Sequence, residues 1–211
     1  MLIVGAGGFA KELLNILIQN GINTIALFDN VNNYRIWEYN GFPILRNEVE
    51  VKNWFSQNKT NEFCLGIGGS KNRMFLSNLI TQWGGVLTTV ISKNTDIGIM
   101  ENVIGEGTNI CSGVIITSSV KIGKGCLLNL KVTVSHDCII GDFVELSPGV
   151  NIAGNCKIGN GVNIGTNATV IPQITIGDNS IIAAGAVVIK DVPPNVMVAG
   201  VPALIKKYVN G

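Results

Sequence analysis

One residue in this chain is equipped for proton transfer near neutral pH: His136, the only histidine among 211 residues. Asp137 follows it directly and Ser135 precedes it. An imidazole beside a carboxylate has the makings of a general base, which contributes roughly 10²–10⁴-fold to a rate when correctly placed. An exposed histidine with no role fits the same local pattern. A second stretch suited to chemistry opens the chain. Gly5, Gly7 and Ala10 match G-x-G-x-x-A directly after the apolar run Met1–Val4, with Asp29 further along. Such a turn brings phosphate close to a helix N-terminus, where free N–H groups and the helix dipole attract anions. A strand-to-helix turn also needs glycine for purely structural reasons.

The elements that must position these residues differ between the two ends of the chain. Residues 1–83 hold 11 of the 13 aromatics, whereas 18 of the 26 glycines lie from Gly84 onward. This places a domain boundary at Gly84–Gly85, giving residues 1–84 and 85–211. In the first part, strand patterns at Met1–Val4, Thr24–Phe28 and Phe63–Ile67 alternate with helical patterns at Lys11–Asn20 and Lys71–Trp83. That alternation predicts a small Rossmann-like α/β domain with a parallel sheet. About 83 residues make only half of a full two-part dinucleotide fold, so a mononucleotide-type ligand fits better than NAD.

The second part repeats every six residues. Ile104, Ile110, Ile116, Ile122, Leu128, Val134, Ile140, Leu146, Ile152, Ile158, Ile164, Val170, Ile176, Ile182 and Val188 mark an unbroken aliphatic series. Ile-Gly recurs every third hexad, at Ile104, Ile122, Ile140, Ile158 and Ile176. Three hexads per coil describe a triangular parallel β-helix whose markers stack into its interior. In this frame His136 stands two after a marker, and one coil further on the same edge lies Gly154. A small neighbour beside a bulky imidazole predicts space for a ligand. Cys126, Cys138 and Cys156 fall four after a marker and Cys111 directly after one, which reads as small buried hydrophobes rather than reactive thiols.

Composition removes several function classes. Charged residues make up 14% of the chain, against about 25% in average chains, and the net charge is +1, so there is no basic footprint for nucleic acid or anionic lipid. With 66 Ile, Leu and Val residues the chain is not disordered. No apolar run approaches the roughly 18 residues of a membrane span. Met1-Leu2-Ile3-Val4 has no basic segment before it, so no signal peptide is read and the cytoplasm is expected. Five cysteines without a CxxC pair give neither a disulfide framework nor a zinc site. A β-helix metalloenzyme of the γ-class carbonic anhydrase kind needs three zinc-binding imidazoles, and one histidine cannot supply them.

The unbroken hexads, together with Val192-Pro193-Pro194-Asn195 and Val198-Ala199-Gly200-Val201-Pro202-Ala203, resemble the hexapeptide-repeat acyltransferases. The Gly-Ala-Gly-Gly turn and Ile67-Gly68-Gly69-Ser70-Lys71-Asn72-Arg73 narrow the likeness to the PglD/NeuD-like sugar acetyltransferases, over essentially the whole chain. The resemblance implies a left-handed β-helix. It also implies a homotrimer with active sites between subunits, and transfer of acetyl from acetyl-CoA to an amino group on a nucleotide-linked sugar, a 4-amino-dideoxy sugar. Such a product feeds surface polysaccharide synthesis. By the same resemblance His136 is the general base, Asp137 orients it where glutamate is common in the family, and Asn129 matches a polar active-site position. Glu145, Gly154, Thr166 and Ala184 match acetyl-CoA contacts. Gly7, Gly8, Phe9, Asp29, Asn30 and Gly68 match the nucleotide-sugar site, and no metal is implied. Two residues depart from the pattern: Phe9 and Glu145 stand where many and some relatives, respectively, carry histidine. O-acetylation of sialic acid or another glycan sugar is the neighbouring enzymatic reading. A non-catalytic sugar-nucleotide-binding scaffold is the alternative of a different class.

Overall fold

The computed structural model describes residues 1–31, 38–39 and 41–209. The first part is a six-stranded sheet built from β1 (Leu2–Val4), β2 (Ala26–Phe28), β3 (Glu38–Tyr39), β4 (Phe42–Leu45), β5 (Glu62–Leu65) and β6 (Val86–Leu87). The spatial order is β3-β4-β2-β1-β5-β6, parallel throughout except for the β3–β4 hairpin. Three helices complete it: α1 (Gly8–Gln19), α2 (Glu48–Asn58) and α3 (Ser70–Gln82). The apolar spacing of Leu13, Leu14 and Leu17 puts all three on the buried face of α1. The pattern alone read neither α2 nor β4. The α2 helix buries only Val51, Trp54 and Phe55, and it begins at Asn47, whose side chain accepts from the Glu50 N–H at 3.0 Å.

The glycine turn has a clear steric origin. Gly5 has φ +118°, and a Cβ there would sit 2.6 Å from Ile67 Cγ2. A Cβ on Gly66 would lie 3.1 Å from the Ala10 side chain, so Ala10 marks where α1 packs closest on β5.

The second part is a parallel β-helix of two-residue strands in three faces. Each strand pairs with the one a coil away, for example Ile110 with Leu128, Val134 with Ile152, and Ile140 with Ile158. Most of the markers are buried in one continuous core, where each aliphatic side chain contributes roughly 1.5–3 kcal/mol relative to exposure. The coils start earlier than the unbroken hexads, at Val90–Ile91 and Asp96–Ile97. The step from Ile97 to Ile104 is seven residues rather than six, which hides that first coil from a strict six-residue search. The residue three after a marker turns each corner in the left-handed region, as at Ser119, Lys131, Asp137, Asn155 and Asn167. A final strand, Leu204–Tyr208, runs antiparallel to Val196–Ala199 and closes one end.

The α/β part is seated on one face of the β-helix. The outward residues Val90, Asn109 and Leu127 of that face are buried beneath it. Asn109 Nδ2 donates to the Leu65 carbonyl at 2.7 Å, and Asn20 Nδ2 donates to the Ile91 carbonyl at 2.8 Å. Phe143 leaves its corner at φ +52°, an uncommon conformation for an aromatic, and joins the core around Phe28, Phe63 and Ile80.

Candidate active site

His136 and Asp137 occupy the edge between the second and third faces. Asp137 is a corner residue with φ +59°, a conformation that Asp adopts more readily than most residues. This turn brings its Oδ2 to 2.8 Å from His136 Nδ1, with the two side chains 58% and 53% exposed. A carboxylate can only accept, so Nδ1 donates to Asp137 and, in the neutral ring, Nε2 keeps its lone pair. The backbone fixes the edge from both sides: Asp137 N–H donates to the Ser118 carbonyl and Asn155 N–H to the His136 carbonyl.

Gly154 does meet His136, but the space it leaves is already filled. A Cβ on Gly154 would fall 2.6 Å from His136 Cε1 and 2.7 Å from Nε2. The imidazole itself therefore rests on Gly154, which corrects the expectation that this glycine leaves room for a ligand. Asn129, Thr166 and Ala184 stand on a different edge, between the first and second faces, at the far end of the Thr133–Val134 strand from His136. Asn129 Oδ1 accepts the Leu130 N–H at 2.7 Å, whereas Thr166 and Ala184 are exposed. Within one chain these three residues do not reach His136.

Glu145 lies elsewhere again. It projects from the first face toward the α/β part, where its Oε2 accepts the Gly69 N–H at 2.5 Å. A Cβ on Gly68 would lie 3.2 Å from Glu145 Oε1. Gly68 itself remains exposed beside this contact. Arg73, which site reasoning from the sequence passed over, is fully buried beneath this loop. Burial lowers its guanidinium to about 10, partly offset by the nearby Glu145 carboxylate.

The second candidate region is a cavity of about 380 Å³ at the C-terminal ends of β1, β2 and β5, where open α/β sheets bind ligands. Gly5, Phe28, Asp29, Asn30, Ile67, Asn72 and Phe75 are among its lining residues. Asp29 Oδ1 accepts the Val31 N–H at 3.0 Å, and Arg46 Nη1 donates to the Asp29 carbonyl at 2.7 Å. Gly7 is the N-cap of α1 with no side-chain cap bond, and a Cβ on Gly7 or Gly8 would meet nothing within 4 Å. Gly7 and Gly8 are thus exposed at the start of α1. Phe9 is part-buried and packs on the cluster that includes Ala10, Cys111 and Leu127. Asn72 belongs to the Ile67–Arg73 stretch that the resemblance rests on, whereas Phe75 carried no sequence signal beyond its place in α3. A further cavity of about 340 Å³ is lined by Gly69, Ser70 and Lys71 and by Asn163 and Asn179 of the β-helix, where Ser70 Oγ donates to Asn163 Oδ1 at 3.0 Å.

The five cysteines are all buried. Burial pushes the Cys64 and Cys111 thiols up to about 12 and that of Cys126 up to about 11. Among the described residues there is no group of three or more His, Cys, Asp or Glu that could hold a metal ion.

Comparison with known proteins meets this geometry at both ends. Residues 1–79 match the model of the PglD N-terminal domain, and residues 155–190 match the bacterial transferase hexapeptide model of six repeats. WeeI from Acinetobacter baumannii AYE superposes with a TM-score of 0.88 at 33% identity, covering 97% of this chain and 98% of that one. The chain belongs to the PglD-type hexapeptide-repeat sugar acetyltransferases. Perosamine N-acetyltransferase from Caulobacter crescentus, solved with CoA and GDP-perosamine, gives a TM-score of 0.89 at 29% identity over 98% of this chain and 96% of its own. The acetyltransferase domain of PglB from Neisseria gonorrhoeae FA1090, in complex with acetyl coenzyme A, gives 0.86 at 26% identity, over 97% of this chain and 98% of that one. Comparison with curated protein sequences found no match. As in other members of the family, a small α/β domain precedes a left-handed β-helix, and the protein is an enzyme of the acyltransferase class. No helix among the described residues is long and apolar enough to cross a membrane.

Proposed function

We propose that this acetyltransferase moves the acetyl group of acetyl-CoA onto an amino group of a nucleotide-linked sugar, a 4-amino-dideoxy sugar, with His136 as general base. The observation that carries the reading is the His136–Asp137 pair, held at 2.8 Å on an exposed edge with the imidazole seated on Gly154. The sugar amine attacks the thioester carbonyl, and His136 Nε2 takes the proton the nitrogen loses. The tetrahedral intermediate then collapses, and the imidazolium returns that proton to the departing CoA thiolate. Asp137 stabilises the imidazolium between the two transfers. Attack is direct, without an acyl-enzyme, because all five cysteine side chains are buried away from the exposed edge that bears His136.

Residues 1–84 act as the sugar-nucleotide part and 85–211 as the acyltransferase part. The nucleotide lies in the cavity beside Asp29 and Asn30, with its diphosphate at Gly7 and Gly8. The working form is a homotrimer in the cytoplasm, whose product feeds surface polysaccharide synthesis. Packing the first-to-second edge of one copy against the second-to-third edge of another supplies Asn129, Thr166 and Ala184 to His136, for the amine and the pantetheine.

The test is thiol release from acetyl-CoA against a panel of UDP-, GDP- and dTDP-amino sugars, with product mass and sedimentation of the protein. Turnover with at least one amino sugar, giving an amide, is the expected result. Transfer to a hydroxyl instead would move the reading to O-acetylation. Tight nucleotide binding without turnover would make the protein a scaffold. Activity unchanged in His136→Ala would end the general-base assignment.

A further inference from the structure

Arg73 heads the largest fully buried side chains of the protein, and its guanidinium ties together four main-chain carbonyls from two distant segments. Nη1 donates to Leu65 at 3.0 Å and to Ile67 at 2.9 Å; Nε donates to Gly125 at 3.1 Å and Nη2 to Cys126 at 3.0 Å. The first two carbonyls end β5 and begin the loop that carries Ile67 along the α/β cavity. The last two lead directly into the strand Leu127–Leu128 of the coil that continues to His136. Above the guanidinium, Glu145 from the next coil accepts the Gly69 N–H, clamping the same loop from its other side.

A buried guanidinium is a costly way to hold two surfaces together, and apolar side chains of similar volume often do so as well or better. What the planar fork adds is geometry: it fixes both separation and orientation of the groups it bridges. Here the bridged groups are the wall of the nucleotide cavity and the coil of the general base. Resting on the function proposed above, we infer that Arg73, supported by Glu145, is a positioning residue that sets where a sugar tethered in the α/β cavity meets the acetyl-transfer edge. Near-attack geometry is steep enough that a shift of about 1 Å costs about 10²-fold in rate.

The experiment compares Arg73→Lys with wild type, whose turnover on the amino-sugar panel is established first, so that failure of the proposed function appears before any variant is read. Lysine keeps the charge but loses the fork. The expected result is a 10–100-fold fall in kcat, with the Kd of the nucleoside diphosphate alone and the KM for acetyl-CoA within about twofold of wild type. A kcat within twofold of wild type overturns the inference. So does parallel loss of both binding constants with lowered Tm, which is what a merely structural contact gives. Glu145→Gln decides the matter if Arg73→Lys does not fold: it keeps the packing and weakens the clamp on Gly69. A 3–10-fold fall in kcat with the same split supports the inference. A raised KM for acetyl-CoA at unchanged kcat overturns it by making Glu145 a cofactor contact.

Discussion

Gly154→Ala isolates the seat of the imidazole more cleanly than any change to His136 itself. The Gly154 backbone is outside the left-handed region, so alanine meets no backbone strain. The new methyl would stand 2.6 Å from Cε1 and 2.7 Å from Nε2, whereas ordinary carbon contacts lie at about 3.5–4.0 Å. The ring must therefore move about 1 Å, and because it is largely exposed it can swing into solvent at small cost to folding. A 1 Å displacement of a proton acceptor corresponds to about 10²-fold in rate, or about 2.7 kcal/mol of barrier. The backbone bonds on either side, Asn155 N–H to the His136 carbonyl and Gln173 N–H to the Gly154 carbonyl, do not involve the side chain. The assay is kcat and both KM values by thiol release, with Tm by calorimetry. The expected outcome is a kcat lower by about 100-fold, a Tm within about 2 °C, and no further loss when the change is made in a His136→Ala background. Activity within threefold of wild type would refute the argument that Gly154 positions the base. A raised KM for acetyl-CoA at intact kcat would place the glycine against pantetheine instead.

His136→Ala should lower kcat by about 10²–10⁴-fold, and Asp137→Asn, which tolerates the same corner conformation, by about tenfold; stopped assays at saturating substrates measure both. Gly7→Val places a side chain in open space at the start of α1, so the KM for the nucleotide sugar should rise about tenfold or more while Tm and the KM for acetyl-CoA hold. Equal loss for both substrates would make the turn purely structural. The Cys64, Cys111 and Cys126 thiols stay protonated in the fold to about 11–12, but ionise near 8.5 once unfolded. Above pH 8.5 the unfolded chain therefore binds fewer protons, and stability falls by up to about 1.4 kcal/mol per pH unit per thiol. Arg73, lowered to about 10, works in the opposite direction, and only from that pH upward. Thermal unfolding between pH 8.5 and 10 should show the decline, and Cys126→Ala should make its slope shallower; a flat profile in wild type would contradict the buried-thiol account.

The sequence alone determined the β-helix, because its interior is one column of aliphatic side chains and every coil must repeat the same demand. The glycine turn was legible for a related reason: Gly5 and Ala10 sit where chain and helix approach too closely for larger side chains. The i+18 relation of His136 to Gly154 could also be read, though not that the ring itself fills the gap. The first coil was not legible, since one extra residue between Ile97 and Ile104 breaks the phase.

The relation between the two parts was decided only by the tertiary structure. Outward positions of the coils carry no periodic constraint, so nothing local marks Asn109, Leu127 or Glu145 as buried or bonded beneath the α/β part. Glu145 matches a cofactor contact by analogy, and its carboxylate also accepts the Gly69 N–H, while Phe9 packs part-buried on the cluster around Ala10. Arg73 is legible in the sequence only as the end of the Ile67–Arg73 stretch, and its bridge depends on carbonyls more than fifty residues away at Gly125 and Cys126. Local physics wrote the repeat and the turn into the chain. Long-range packing chose which polar groups would join the α/β cavity to the edge that bears His136.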